Sequence, residues 1–92
     1  MQRDRVVAPS EAAISTPVGG EVVVIRMAAD ARYFGLRGGA IRMWELIQER
    51  THTVDDIVAA MLGEFEIEEP ALRADVEATL SSLESRGLIR LV

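Results

Sequence analysis

Residues 32–47, RYFGLRGGAIRMWELI, contain the point at which the sequence changes from a strand pattern to a helix pattern. The first five residues include two aromatic side chains and lie between turn-forming residues, which is typical of a strand. After the glycine pair at 38–39, apolar residues recur at helical spacing, at positions 40, 43, 44 and 47. The stretch therefore predicts a strand that leads through a short turn into a helix reaching about Glu49.

Two further strands precede this stretch. Ala12–Thr16 is followed by turn-forming residues at 17–20 and then by the β-branched run Glu21–Met27. A second turn, Ala28–Ala31, leads into the third strand, Arg32–Leu36. Strands joined by such short turns are antiparallel, and a sheet of three needs a helical layer on one face to be stable.

Two further helices follow. The first begins at Thr53, whose hydroxyl can cap it, and carries Asp55 and Asp56 at the positive end of its dipole. Its predicted buried face consists of Val54, Ile57, Val58, Met61, Leu62 and Phe65. The other helix lies between Pro70 and Gly87, the positions where a helix tolerates proline and ends on glycine. Its predicted buried stripe consists of Leu72, Val76, Leu80 and Leu83.

The predicted fold is therefore α+β and resembles a winged helix-turn-helix, with a three-stranded antiparallel sheet followed by three helices. Residues 12–92 are predicted to form one domain, which ends in a short extended tail over Leu88–Val92. Residues 1–11 lack a sustained period, so we expect a flexible N-terminal arm with room for one short strand.

The charge of the chain disfavours anionic partners. The formal net charge is −5, and residues 51–92 alone carry nine acidic residues against three arginines. Surfaces built from that half repel phosphate. There is no cysteine and no apolar run near the length of a membrane span, so we predict a cytoplasmic protein that binds neither nucleic acid nor membrane.

The residues needed for catalysis or metal binding are largely missing. The single histidine, His52, lies in the predicted linker between two helices, with no nucleophile beside it. The four glutamates Glu64, Glu66, Glu68 and Glu69 lack the spacing of a calcium loop and are predicted to belong to a solvated linker between two helices. The glycine pairs at 19–20 and 38–39 do not match a phosphate-binding loop. We therefore predict no enzymatic activity, no metal and no cofactor.

A DNA-binding winged helix is one alternative, because three small helices after a hairpin suit that fold. A DNA reader concentrates basic residues on its recognition helix. Here the third predicted helix carries Asp75, Glu77 and Glu84 against two arginines. A structural subunit without any peptide ligand is a further alternative.

The third strand and the third helix together predict a groove. One flank of the helical stripe carries short or polar residues, with Arg86 at its far end: Ala71, Asp75, Ala78, Thr79 and Ser82. The strand Arg32–Leu36 has one charge and no proline, so as a free edge it can accept an extended peptide through main-chain hydrogen bonds. The other possibility is that the N-terminal arm covers this edge.

Several short segments resemble the PqqD-like family, the leader-peptide recognition elements of ribosomal peptide modification. They are residues 33–36, 39–41 and 44–46, then 53–58, 75–76 and 83–89, in the order and spacing of that family. Members of the family include the chaperone of pyrroloquinoline quinone synthesis and the stand-alone leader-binding proteins of lasso-peptide pathways. Residues 33–34 and 41–46 are more similar to the lasso type, whereas Arg37-Gly38 departs from the polar residue, such as Asn, that often follows the strand leucine.

The resemblance implies that a leader peptide docks as an extra antiparallel strand on the third strand, against the third helix. Carried over by position, the peptide-binding residues are Arg32, Tyr33, Phe34, Gly35, Leu36, Asp75, Val76, Thr79, Ser82, Leu83 and Arg86. The implied partners are a precursor peptide with a leader peptidase and a cyclase. For the pyrroloquinoline quinone type, the partner would instead be a radical S-adenosylmethionine enzyme.

Overall fold

The computed structural model of the protein describes residues 2–27 and 32–92, and the side chain of Arg32 lies outside the description. The described elements are the strands β1 (Val7–Pro9), β2 (Ala13–Val18), β3 (Glu21–Arg26), β4 (Arg32–Leu36) and β5 (Ile89–Leu91), and the helices α1 (Gly39–Gln48), α2 (Val54–Glu64) and α3 (Glu69–Ser85). The predicted turn at Ala28–Ala31 lies outside the described residues.

The sheet β2-β3-β4 is antiparallel, as predicted, and β3 lies at its centre. Val24 of β3 is opposite Ser15 of β2 and Phe34 of β4. These three residues share the face that packs on the helices, where Val24 is fully buried. The three-stranded sheet followed by three helices confirms the predicted fold class.

The hairpin between β2 and β3 is tighter than predicted. The sequence predicted a turn from residue 17, but Pro17 and Val18 continue β2 and pair with Val22 and Glu21. Gly19 has a φ of 62°, and a turn of only two residues needs a positive φ of this kind. Proline is tolerated because β2 is an edge strand, where a missing N–H breaks no ladder.

The predicted N-terminal arm contributes one strand, and that strand belongs to a second sheet. β1 pairs with β5 in antiparallel register, Val7 with Leu91 and Pro9 with Ile89. Val7 is fully buried, and its N–H donates to the carbonyl oxygen of His52 at 2.9 Å. The two ends of the chain are thereby fastened to each other and to the loop before α2.

The helices pack by the stripes that the sequence predicted. Leu72, Val76, Leu80 and Leu83 of α3 are all 4% exposed or less. In α2 the first four predicted core residues are buried. Phe65 is 40% exposed, because α2 ends at Glu64 and the backbone of Phe65 is extended. Phe65 was therefore wrongly assigned to the core.

α2 starts with a reciprocal cap. The N–H of Asp56 donates to the Thr53 hydroxyl, and the N–H of Thr53 donates to the Asp56 carboxylate, both at 3.0 Å. The hydrogen bond from the Thr53 backbone lowers the pKa of the Asp56 carboxyl, and the Thr53 side chain adds to the effect. This confirms the predicted start of α2. No described helix is long and apolar enough to cross a membrane.

We expect Val7→Ala to destabilise the protein by about 2 kcal/mol, because it removes two buried methyl groups and leaves a cavity. The matched control is Val18→Ala, since Val18 is 56% exposed, and it should change stability by less than about 0.5 kcal/mol. Urea unfolding followed by circular dichroism measures both. Equal effects would show that β1 adds nothing to the core.

We expect Asp56→Ala to destabilise the protein most at neutral pH. A carboxyl whose pKa is lowered by folding stabilises the protein above its ordinary value of 3.8, and this contribution disappears as the pH falls through the folded pKa. The difference in unfolding free energy between variant and wild type should therefore shrink below about pH 4. Glu84→Ala, which changes an exposed carboxyl with no described ion pair, is the control. A difference that stays constant with pH would contradict the cap.

Candidate functional site

β4 is an edge strand whose second side has no described partner. The sheet order places β3 on one side of it, and no other described strand pairs with it. The described part of the N-terminal arm pairs with β5 instead. Edge strands present unpaired N–H and C=O groups, so β4 offers the main-chain groups that an added strand requires.

α3 lies beside β4. The guanidinium of Arg86, at the C-terminal end of α3, lies 4.6 Å from the centre of the Phe34 ring. This distance is within the range of a cation–π contact. The N–H of Arg86 also donates to the carbonyl oxygen of Ser82 at 3.2 Å. One end of the groove between β4 and α3 is therefore fixed by a contact between two of the predicted site residues.

Four predicted residues on α3 form a line along the helix. Asp75 and Arg86 are exposed, and Thr79 and Ser82 are half-buried. Their spacing of four, three and four residues keeps them on one side of the helix. Because Arg86 contacts β4, this side faces the groove.

Three predicted residues belong to the core. Leu36, Val76 and Leu83 are 1%, 0% and 1% exposed. Their side chains pack in the core beneath β4 and α3, and Val76 also forms part of a cavity wall.

The remaining predicted residues lie on β4. Tyr33 is 77% exposed and alternates with Phe34 and Leu36, so it lies on the opposite face of the sheet from α3. Gly35 shares that face, and a Cβ there would lie 3.2 Å from the Glu21 carboxylate. For Arg32 only the backbone, paired with Arg26, is described.

A cavity of about 440 Å³ lies beyond the end of β4. It opens between the first turn of α1, the end of α2, the linker to α3 and the first half of α3. The residues that line it are Gly39, Ala40, Met43, Met61, Phe65, Glu66, Ile67, Leu72, Asp75 and Val76. Its volume suits one or two large side chains of a ligand and lies in the usual range of ligand sites.

Sequence reasoning identified only Asp75 and Val76 among the lining residues. The glutamates at 64, 66, 68 and 69 predict a solvated linker, and the helical stripe places Phe65 in the core. Phe65 and Ile67 are instead 40% and 38% exposed and line the cavity. Two apolar residues that alternate with glutamates in a linker are the signal that could have indicated a site.

No group of three or more histidine, aspartate or glutamate side chains could hold a metal ion within residues 2–27 and 32–92. Nε2 of His52 lies 2.8 Å from the Glu49 carboxylate, in the loop between α1 and α2. The groove and cavity instead combine an open strand edge, an apolar interior and charges at the rim.

Residues 21–89 match the protein family described as Coenzyme PQQ synthesis protein D (PqqD). The chain belongs to the PqqD family. The match includes β3, β4, all three helices and the start of β5, and therefore the whole groove and cavity. This confirms the family that the sequence segments resembled.

Two solved structures share the fold of this PqqD family member. One is described as TbiB1 in complex with the TbiA(beta) leader peptide, with 28% identity, a TM-score of 0.80, and coverage of 90% of this chain and 94% of that one. The other is described as lasso peptide synthetase B1 complexed with the leader peptide, with 17% identity, a TM-score of 0.79, and coverage of 91% and 96%. No curated protein matches the sequence.

Proposed function

We propose that this protein binds the leader segment of a ribosomally made precursor peptide as an added strand on β4 and presents it to processing enzymes. The observation that carries the proposal is the open edge of β4 with the polar side of α3 beside it. A peptide that pairs with such an edge gains main-chain hydrogen bonds whatever its sequence, and side-chain contacts add specificity. The protein itself performs no reaction.

The proposed binding surface has two parts. The strand part is the main chain of Arg32–Leu36, with Phe34 facing α3. The helix part is Asp75, Thr79, Ser82 and Arg86, supported by the buried side chains of Val76 and Leu83. Of the predicted residues, Tyr33 and Gly35 lie on the outer face of the sheet, so they contribute through their backbone.

The proposed pathway is lasso-peptide biosynthesis, with a leader peptidase and a cyclase as partners. Support comes from the two structural neighbours, which are both described as complexes with leader peptides. TbiB1, at 28% identity, aligns over nearly the whole chain. The family description favours the second candidate, a chaperone for a radical enzyme of the pyrroloquinoline quinone type. The location in the cytoplasm stays a prediction.

Hydrogen exchange followed by mass spectrometry tests the added strand. The probe is the synthetic TbiA(beta) leader, together with the leader of any short precursor found to be encoded beside this gene. Binding should slow exchange in β4, because its outward N–H groups gain partners. β2 is the matched control, since it is the other edge of the same sheet. Protection of β2 instead of β4 would place the peptide on the wrong edge for this proposal.

Thr79→Trp should weaken leader binding at least about tenfold, because it fills the groove side of α3 with a large side chain. The matched control is Ser81→Trp, since Ser81 is exposed on the opposite side of the same helix. Fluorescence anisotropy of the labelled leader measures both affinities, and circular dichroism checks the fold. Wild-type affinity in a folded Thr79→Trp variant, or no binding of any leader by the wild type, would contradict the proposal.

A further inference from the structure

The groove between β4 and α3 carries opposite charges at its two ends. Arg86 lies over Phe34 at the C-terminal end of α3. Asp75, eleven residues earlier on the same helix, lines the cavity together with Glu66. β4 leads directly into the first turn of α1, which also lines the cavity. The acidic end of the groove therefore lies past Leu36, and the basic end lies beside Phe34.

These charges are not neutralised by the described part of the protein. Arg86 contacts the Phe34 ring and the Ser82 carbonyl oxygen and forms no ion pair with a described residue. Asp75 and Glu66 likewise have no described cation within ion-pair distance. The contrast is with Arg37, Arg42 and Arg73, which are paired with Glu21, Glu64 and Asp55 at 3.1, 2.9 and 2.7 Å.

The interior between the charged rims is apolar. Phe65 and Ile67 are 40% and 38% exposed at the cavity, and Met43 and Met61 form part of its wall. Half-exposed apolar side chains around a cavity indicate a ligand with an apolar side chain. The cavity therefore suits a large aliphatic or aromatic residue of the bound peptide, beside the acidic rim.

The length of α3 sets the spacing of the charges. Eleven residues of α-helix span about 16 Å. An extended peptide advances about 3.3 Å per residue, so about five residues cover the distance from Asp75 to Arg86. In a guest antiparallel to β4, the N-terminal end lies at the cavity and the C-terminal end lies at Arg86.

We propose that the groove selects peptides by the order of their charges. The preferred segment has a basic residue next to a large apolar residue, followed about five positions later by an acidic residue. This inference rests on the proposed function and adds the class of leader that the site accepts. Asp75, Glu66 and Arg86 are then the residues that set both specificity and direction.

The test uses two sets of labelled variants of the TbiA(beta) leader. One set carries Lys at one position and Glu five positions later, in every register along the leader, and the other set carries the reverse order. In its best register the Lys-first set should bind the wild type about tenfold more tightly than the reverse set, as two partly exposed ion pairs allow. The preference should fall with added salt.

The doubly changed variant Asp75→Arg with Arg86→Glu should reverse the preference. Glu84→Arg is the matched control, because it makes the same charge change as Asp75→Arg on the far side of α3, and it should keep the wild-type preference. Equal binding of both sets, or tighter binding of the reverse set by the wild type, would overturn the charge order while the proposed function stands. Failure of every peptide to bind the wild type would overturn both.

Discussion

The buried stripe of α3 is the contact on which the rest of the structure depends. Leu72, Val76, Leu80 and Leu83 run the length of the helix and are at most 4% exposed. Each fully buried leucine or valine stabilises the fold by about 1.5 to 3 kcal/mol, so this stripe alone accounts for several kcal/mol. The packing also fixes the rotation of the helix, which places Arg86 over Phe34 of β4 and Asp75 at the cavity.

The described terminal strands of the chain pair with each other and not with the edge of β4 that α3 borders. An unpaired edge invites pairing with other chains, and many proteins cover it with their own terminal segment. Here the terminal strands β1 and β5 pair with each other, and β1 is anchored through Val7 to the loop before α2. The described part of the N-terminal segment thus pairs with β5, and the outer edge of β4 has no partner strand among the described residues.

Local patterns predicted most of the elements, whereas the contacts between distant segments required the structure. The helical period, the Thr53 cap and the positions of Pro70 and Gly87 predicted three helices close to their observed bounds, because each signal acts within a few residues. The pairing of β1 with β5 joins segments about eighty residues apart, and no local signal specifies such a pair. The prediction of the hairpin failed at Pro17 because proline reads as a turn residue unless the strand is known to be an edge.

The candidate site, too, could be predicted from sequence only in part. The strand β4 and the polar side of α3 could be predicted from sequence, because a strand run between turns and a helical flank are local patterns. Which edge of the sheet is free could not be predicted in this way. The cavity could not, because it is lined by four separate segments and because Phe65 had been assigned to a helix that ends one residue before it. Leu36, Val76 and Leu83 are buried, which a resemblance carried over by position does not show, and their part in binding stays a prediction.

The single tryptophan of the chain has a consequence for how the protein can be observed. Trp44 is 2% exposed on α1, and its Nε1 has no described hydrogen-bond partner. It does not line the cavity, and it is not among the groove residues. We therefore expect the emission of Trp44 to change when the core unfolds and to change little when a peptide occupies the groove. Tryptophan emission is therefore suited to measuring the unfolding of this protein, and an external label is needed to detect ligand binding.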